Sequence, residues 1–369
     1  KISMDNGGIV TTPLLVARFC DLMLKGRLDK EKGRLVEQMI EGMVVLFKYM
    51  DDRDVFHAFY VDFLSKRLLT RTSHSEDLER AMLKSLRAAF GFGFVSKIHK
   101  MFTDKQNSEE FVERFRSSEA AVNPPFDYNA IVLTKGCWKV SKRFSFQLKQ
   151  TETMKALTDA FETFYSRTYQ KRKLQWLHHA SHMEVRTNFA KRPYIVTVSA
   201  MQYAVLESFN STSILSFGTL LKALCANSDE LEIILKSLLH VKLLKRKPEG
   251  SQITNETQFA LRSNIAFKIL KVNAMRVIDR RVSAREGNQE VVEAAQSNRK
   301  YLVEAAIVRI MKTRKELSHQ LLVQEVMSQL QRNFTPPVTM VKKSLESLID
   351  KEYLERVPDS AVNAYRYLA

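Results

Sequence analysis

Ala305-Ala306-Ile307-Val308-Arg309-Ile310-Met311-Lys312-Thr313-Arg314-Lys315 reads as a short amphipathic helix. Leu302, Ala306, Ile310 and Leu317 follow a helical stripe, and Ala305 and Val308 broaden it. Lys312 lies off that stripe. Its same-face neighbours at helical spacing are Val308, Arg309, Lys315 and Glu316. The segment from here to Tyr365-Arg366-Tyr367-Leu368-Ala369 is small and poor in catalytic side chains. It reads as a module that presents a lysine rather than one that performs chemistry.

Working outward, this module repeats an earlier one. Pro248 and Pro358 stand 110 residues apart, and at that offset Leu235, Leu238, Leu239, Leu243 and Leu244 fall on Leu345, Leu348, Ile349, Tyr353 and Leu354. Each copy reads as a helix, a short strand and a proline-containing wing. The first copy is 231–240 then 241–247, and the second is 338–351 then 353–357. Returning strands are expected near 258–261 and 364–368. Thr335 is the expected cap of the second copy's helix, with Pro336 or Pro337 in its first turn. A helix followed by a two-stranded wing is winged-helix architecture, a variant of helix-turn-helix. Between the copies, 283–297 is polar and reads as a linker with some helical content.

The first third carries helical periodicity over 14–24, 34–49, 54–69 and 75–90, and a helical bundle would bury these four stripes together. Ser75 with Glu79, and Asp54 ahead of Phe56, are the expected caps. Gly91 and Gly93 break the pattern, 96–102 resumes it, and 104–108 and 117–125 read as connectors ending at Pro124-Pro125. The middle mixes strands at 130–134 and 144–148 with a helix over 153–169. A hairpin of 185–189 and 194–199 follows, turning at Lys191-Arg192-Pro193. The expected fold is mainly α with a small α+β domain: a four-helix bundle over 1–120, an α/β domain over 121–200, and a first winged-helix-like module over 201–280. A linker over 281–298 and a C-terminal winged-helix module over 299–369 complete it.

Composition bounds the function. The 369 residues suit several domains rather than one core, and 45% hydrophobic content can fill them. The longest apolar run, 39–47, is broken by Glu41 and is too short to span a bilayer. No secretory signal is visible and the chain opens on Lys1, so a piece of a longer protein, lacking an N-terminal part, is expected. Cys20, Cys137 and Cys225 are scattered without a CxxC pair, which fits a reducing compartment and thiols that act as small core residues. The net charge of +17 implies attraction to nucleic acid, an anionic membrane or an acidic protein, without choosing among them. His178, His179 and His182 form HHxxH, which lacks the glutamate of HExxH, and Glu184 falls outside that spacing. They are expected as surface residues at or just beyond the end of the 153–169 helix rather than as zinc ligands. With no phosphate-binding glycine loop or nucleophile elbow, the chain is not expected to catalyse a reaction or to hold a cofactor.

AAIVRIMKxRK ahead of a terminal Tyr-Leu-Ala resembles the end of the cullin family. The likeness extends along nearly the whole chain. Asp54-Val55-Phe56, Phe59-Tyr60, Leu64 and Lys66-Arg67-Leu68-Leu69 resemble the bundle motif DVFxxFYxxxLxKRLL. Ser96-Lys97, Met101-Phe102 and Asp104 match SKxxxMFxD; Gly136 and Trp138 match a GxW turn; Arg172-Lys173-Leu174 with Trp176 match RKLxW. The chain departs from the family at Phe90 and Val95, where cysteine and threonine are usual. It departs again at Lys139, where proline is common, and at Gln170-Lys171, which replace Ser-Gly. No subfamily is assigned.

The resemblance implies the scaffold of a multisubunit RING ubiquitin ligase. Lys312 matches the lysine that accepts a ubiquitin-like modifier (neddylation), in the context of Ile307, Arg309, Ile310, Met311, Arg314 and Lys315. A small RING protein would add a strand to the α/β sheet, with Ile131, Leu133, Ile195, Val196 and Val198 as the expected host residues. Lys66 and Arg67 are the expected basic surface for a ubiquitin-conjugating enzyme. Further implied partners are the modifier with its own conjugating enzyme, a deneddylating signalosome and a cullin exchange factor. Substrate adaptors would bind through the absent N-terminal region. Zinc would belong to the RING partner alone, no membrane partner is expected, and cytoplasm and nucleus are the expected compartments. Two rivals share the architecture. One is a winged-helix DNA-binding protein, favoured by charge but opposed by Glu346 and Asp350 beside Lys342 and Lys343. The other is a proteasome-lid-like assembly subunit, which gives no reason for AAIVRIMKTRK.

Overall fold

The computed structural model describes residues 2–3, 9–26, 33–119, 124, 126–140, 152–190, 192–248, 252–275, 286–331, 333–357 and 363–368. They fall into two units: Lys1–Lys105 with Val132–Lys139 and Arg285–Ala369, and Gln106–Ile131 with Val140–Ala284.

The first unit begins with a short antiparallel pair, β1 (Ile2–Ser3) and β2 (Ile9–Val10). The four expected helices follow: α1 (Thr12–Leu24), α2 (Gly33–Lys48), α3 (Arg53–Leu69) and α4 (Glu76–Phe90). Their stripes meet in one core that includes Cys20, Phe47, Phe56, Phe59, Leu64, Met82 and Leu86. Burying each large side chain of this kind stabilises by about 1.5–3 kcal/mol, so convergence of the stripes is what holds the bundle. Ser75 caps α4 by accepting the Asp77 N–H at 3.1 Å. Glu79 takes no part in that cap; its carboxylate points inward to Arg67. Asp52, not Asp54, stands at the N-cap of α3.

Gly91, at φ 85°, ends α4 in a backbone region that glycine enters freely. Then α5 (Phe92–Arg116) runs for 25 residues. The connector expected at 104–108 is therefore helix, and Gly93 does not break it. Asp104 and Ser108 read as loop residues because they are polar, but both are buried. Asp104 accepts the Thr134 N–H, the Thr134 hydroxyl and the Trp138 indole N–H, each at 2.8 Å. It thereby fixes the Gly136–Trp138 turn against the bundle.

The cysteines differ more than the sequence implied. Cys20 is fully buried and its thiol is pushed up to about 12 by burial, whereas Cys137 is half-buried and Cys225 exposed. A thiol reagent acts on the accessible thiolate. Alkylation of the native chain is expected at Cys225 first, then Cys137, with Cys20 modified only after unfolding; peptide mass mapping against time checks the order.

In the second unit the last turns of α5 set Phe111 and Phe115 against Phe161 and Tyr165 of α6 (Glu152–Thr168), with ring centroids 5.3–5.4 Å apart. The hairpin forms from β3 (His182–Arg186) and β4 (Ile195–Ser199), its first strand three residues earlier than the 185–189 expected. Ser199 and Gln202 close a capping box on α7 (Ala200–Ser208). Next come β5 (Ile214–Ser216), α8 (Phe217–Leu224), α9 (Ser228–His240), β6 (Leu244–Lys247) and β7 (Gln258–Leu261), whose strands lie in the order β5-β7-β6. β8 (Lys271–Asn273) returns to pair parallel with β4. Residues 130–134 form no strand, and the Thr134 N–H is taken by Asp104 rather than by a ladder. The strand expected at 144–148 lies outside the described residues.

The first unit resumes with α10 (Glu286–Arg314), 29 residues long. The linker expected over 281–298 is thus helical from Glu286 onward. Val291 and Ala295 explain this: both are buried in the bundle core, so a polar-looking segment earns its order through two contacts. The second half of α10 buries Val303, Ala306, Ile307, Ile310 and Met311 in a separate core. The expected stripe is therefore rotated, and Leu302 and Ala305 are exposed. The facing partners are α11 (His319–Leu330) and α12 (Val338–Asp350), which with β9 (Glu316–Ser318), β10 (Leu354–Arg356) and β11 (Ala364–Tyr367) complete the module. Its strand order is β10-β11-β9. Thr335 does not cap α12; Pro337 holds that position with no side-chain bond.

The internal repeat survives to the level of single dihedrals. α9 and α12 are related by the same offset, and both end in a left-handed residue, Lys242 at φ 66° and Glu352 at φ 60°. In both, the next N–H reaches back over the turn, Leu243 to Leu238 O at 3.1 Å and Tyr353 to Leu348 O at 3.0 Å. This is one helix-terminating motif used twice. Midway along α10, between its two cores, Arg299 donates to Asp54 at 2.5 and 2.6 Å and to Asp52 at 2.7 Å. Its guanidinium lies 4.7 Å from the centroid of Phe334, and the Asp54 N–H donates to Asn333 O at 3.3 Å. Its hydrogen bonds to Asp54 lead in holding this guanidinium above its ordinary range.

Candidate functional site

Lys312 occupies the last turn of α10 and is exposed; among the described residues it enters no ion pair. Ile307, Ile310 and Met311, the apolar part of the expected context, lie beneath it in the module core. They fix the helix while leaving the lysine outside. Arg309 is exposed, and its carbonyl accepts the Thr313 hydroxyl at 3.0 Å. Arg314 reaches Glu325 at 3.1 Å.

The helix stops immediately after. Lys315 takes φ 67°, its N–H donates to Met311 O at 2.8 Å, and its carbonyl accepts the Tyr367 N–H at 2.9 Å. Its ammonium sits 5.2 Å from the centroid of the Tyr367 ring. Glu316 has left the helix for β9 and faces Arg366 at 3.3 Å. Helical spacing from Lys312 therefore does not extend to Lys315 and Glu316, because the left-handed residue redirects the chain. Tyr367, Glu325 and Arg366, which frame this end, were missed by sequence reasoning. The alternation Tyr365-Arg366-Tyr367 was the available signal, since one strand face must meet the helix end.

The other expected sites fare differently. Lys66 is half-exposed and paired with Asp62 at 2.9 Å. Arg67 is buried, held by Glu79 at 2.7 Å and Asp21 at 2.9 Å, so it offers no surface to a partner. A charged residue in a helical motif reads as exposed, and its two acidic partners lie far off in sequence. Val196 and Val198 are core residues, and β4, which carries them with Ile195, is flanked by β3 and β8 on both sides. It cannot accept a further strand. Ile131 and Leu133 are half-buried in a connection outside every strand of the described residues. His178 and His179 lie on a short 3-10 turn and His182 opens β3, so they do not share a helical face. Burial lowers the His178 imidazole below its usual range. Among the described residues no His, Cys, Asp or Glu group could hold a metal ion, and no helix is long and apolar enough to cross a membrane.

Three domain patterns match along the chain: the cullin alpha solenoid domain over residues 6–112, the cullin alpha+beta domain over 132–265, and the cullin protein neddylation domain over 298–360. The chain belongs to the cullin family. This cullin is similar to Cullin-1 of Dictyostelium discoideum, 35% identical over 97% of this chain and 47% of that protein. It is similar also to Cullin-1 of Schizosaccharomyces pombe, 31% identical over 97% of this chain and 46% of that one. Cullin-5 of Dictyostelium discoideum matches comparably, 32% identical over 96% and 48%. The chain thus spans about half the length of the curated relatives it matches, and the likeness does not resolve a subfamily. Lys312 falls inside the neddylation-domain match.

Proposed function

We propose that this cullin is the scaffold of a RING ubiquitin ligase, itself without catalytic groups, and that a ubiquitin-like modifier attached to Lys312 switches it on. The observation that carries this is the exposed Lys312, free of ion pairs among the described residues and anchored from below at a helix end within the neddylation-domain match. A scaffold of this kind would act by proximity, setting a thioester-charged conjugating enzyme beside a substrate lysine. The RING protein would bind by strand addition. With β4 enclosed, the outer edge of β3 is the surface we assign to it. Zinc would enter with that partner only. A signalosome would remove the modifier, an exchange factor would take the unmodified form, and action in cytoplasm and nucleus would follow. Of the proposed basic surface Lys66 remains, without Arg67. The DNA-binding reading gains nothing, since the exposed face of α12 alternates Lys342 and Lys343 with Glu346 and Asp350.

The test is reconstitution. The chain is co-purified with a cullin RING partner and given the modifier with its activating and conjugating enzymes. One dominant adduct is expected, retained in Lys315→Arg and reduced in Lys312→Arg to a minor adduct at Lys315. No adduct while the RING partner is bound would remove the switch from the reading; failure of the RING partner to bind would remove the scaffold.

A further inference from the structure

Lys315 stands three residues beyond Lys312 and is also exposed. Exposure and a basic neighbourhood therefore do not select between the two amines. We propose that Tyr367 makes the selection by holding the Lys315 ammonium on its ring face, so that Lys312 is the amine presented to a charged conjugating enzyme. Tyr367 would be a positioning residue for the acceptor, and the inference rests on the reading of Lys312 as one.

The geometry separates the two lysines at three points. Lys312 continues the helix and its ammonium enters no ion pair among the described residues. Lys315 is left-handed at φ 67°, a conformation a non-glycine residue keeps only when its surroundings impose it. Here both sides of the residue are fixed, its N–H on Met311 O and its carbonyl by the Tyr367 N–H. The backbone bond and the ring contact come from the same residue, so β11 holds Lys315 by main chain and side chain together. Arg314 between them is paired with Glu325 at 3.1 Å.

The chemistry gives this placement its consequence. The reaction joins an amine to a ubiquitin-like modifier carried as a thioester on a conjugating enzyme. The nitrogen lone pair attacks the thioester carbonyl, the C–N bond forms, the C–S bond breaks, the enzyme's thiolate leaves, and the amine proton passes to solvent. An ammonium seated on an aromatic face has no lone pair to offer, and must leave the ring before it can react. Contacts of this kind at exposed sites bias an equilibrium about two- to fivefold.

The experiment maps adduct positions by peptide mass analysis on the full chain bound to its RING partner, with the purified modifier and its enzymes. Tyr367→Leu keeps apolar bulk and removes the π face; Tyr367→Phe keeps the face. In a Lys312→Arg background, adduct at Lys315 is expected to rise about two- to fivefold with Tyr367→Leu and to stay at its original level with Tyr367→Phe. Unchanged Lys315 adduct in Tyr367→Leu, with the far-UV spectrum retained, overturns the inference alone, as does a rise of equal size in Tyr367→Phe. Absence of any adduct from the unaltered chain overturns the acceptor reading and this inference with it.

Discussion

Arg67→Met is expected to destabilise the helical bundle by about 3–5 kcal/mol. The guanidinium is fully buried and forks onto Glu79 at 2.7 and 3.1 Å, with its remaining nitrogen on Asp21 at 2.9 Å. It also lies 5.6 Å from the Tyr60 ring centroid. Methionine fills a similar volume, so the cost is not a cavity. It comes from two buried carboxylates that lose their counter-charge. Ser73 on Glu79 and Lys25 on Asp21 remain, at 2.8 and 2.7 Å, but neither replaces a bidentate cation. Chemical denaturation followed by far-UV circular dichroism measures the loss. Adding Glu79→Leu should recover most of it, because removing both members of a buried pair leaves far less charge uncompensated. A single variant within about 1 kcal/mol of the parent would mean that water reaches the network. The same experiment separates Arg67 from Lys66: the first should act through stability, while Lys66→Glu should slow association with an acidic partner chiefly at low salt.

What the sequence revealed and concealed divides along contact range. The helices of the bundle were legible because their apolar stripes are local, and so was the repeat in its leucine positions, whereas the left-handed pair Lys242 and Glu352 came only from the structure. The exposure of Lys312 was legible, but the stripe beneath it came out rotated, with Leu302 and Ala305 exposed, and its role as acceptor rested on the family resemblance. Polar residues doing interior work were not legible. Asp104 and Arg67 read as connector and surface, since their partners, Thr134, Trp138, Glu79 and Asp21, lie 12 to 46 residues away. The enclosure of β4 was equally hidden, because its second neighbour, β8, arrives from a distant part of the chain. The first half of α10 read as a linker because two small buried residues, Val291 and Ala295, are a weak stripe against a polar background. Tyr367 could not be paired with Lys315 until the turn at φ 67° was known.

Arg299→Gln is expected to loosen the attachment of the Lys312 module to the bundle while leaving each core folded. α10 belongs to both cores, with Ala295 in one and Val303 in the other, and Arg299 stands between them. Its three bonds to Asp54 and Asp52, at 14% side-chain exposure, are the charge-assisted contacts at that boundary. Each such bond contributes about 1.5–3 kcal/mol in favourable settings, and these share one guanidinium and are not additive. Ser297 and Asn298, just before it, are weak helix formers, so the helix is least supported where the arginine acts. Amide exchange at residues 52–56 and 297–301 is expected to quicken about 10- to 100-fold, the ratio that 1.4 to 2.8 kcal/mol commands. Exchange within Val341, Leu345 and Leu348 should stay unchanged. Asp54→Asn should give the same pattern, and Arg299→Lys should not restore the parent, because an ammonium cannot fork between two carboxylates. Uniform exchange in parent and variant would show that Val291 and Ala295 alone fasten the helix. In that case any motion of the module after modification of Lys312 would have to bend α10 beyond Val303 rather than break a latch.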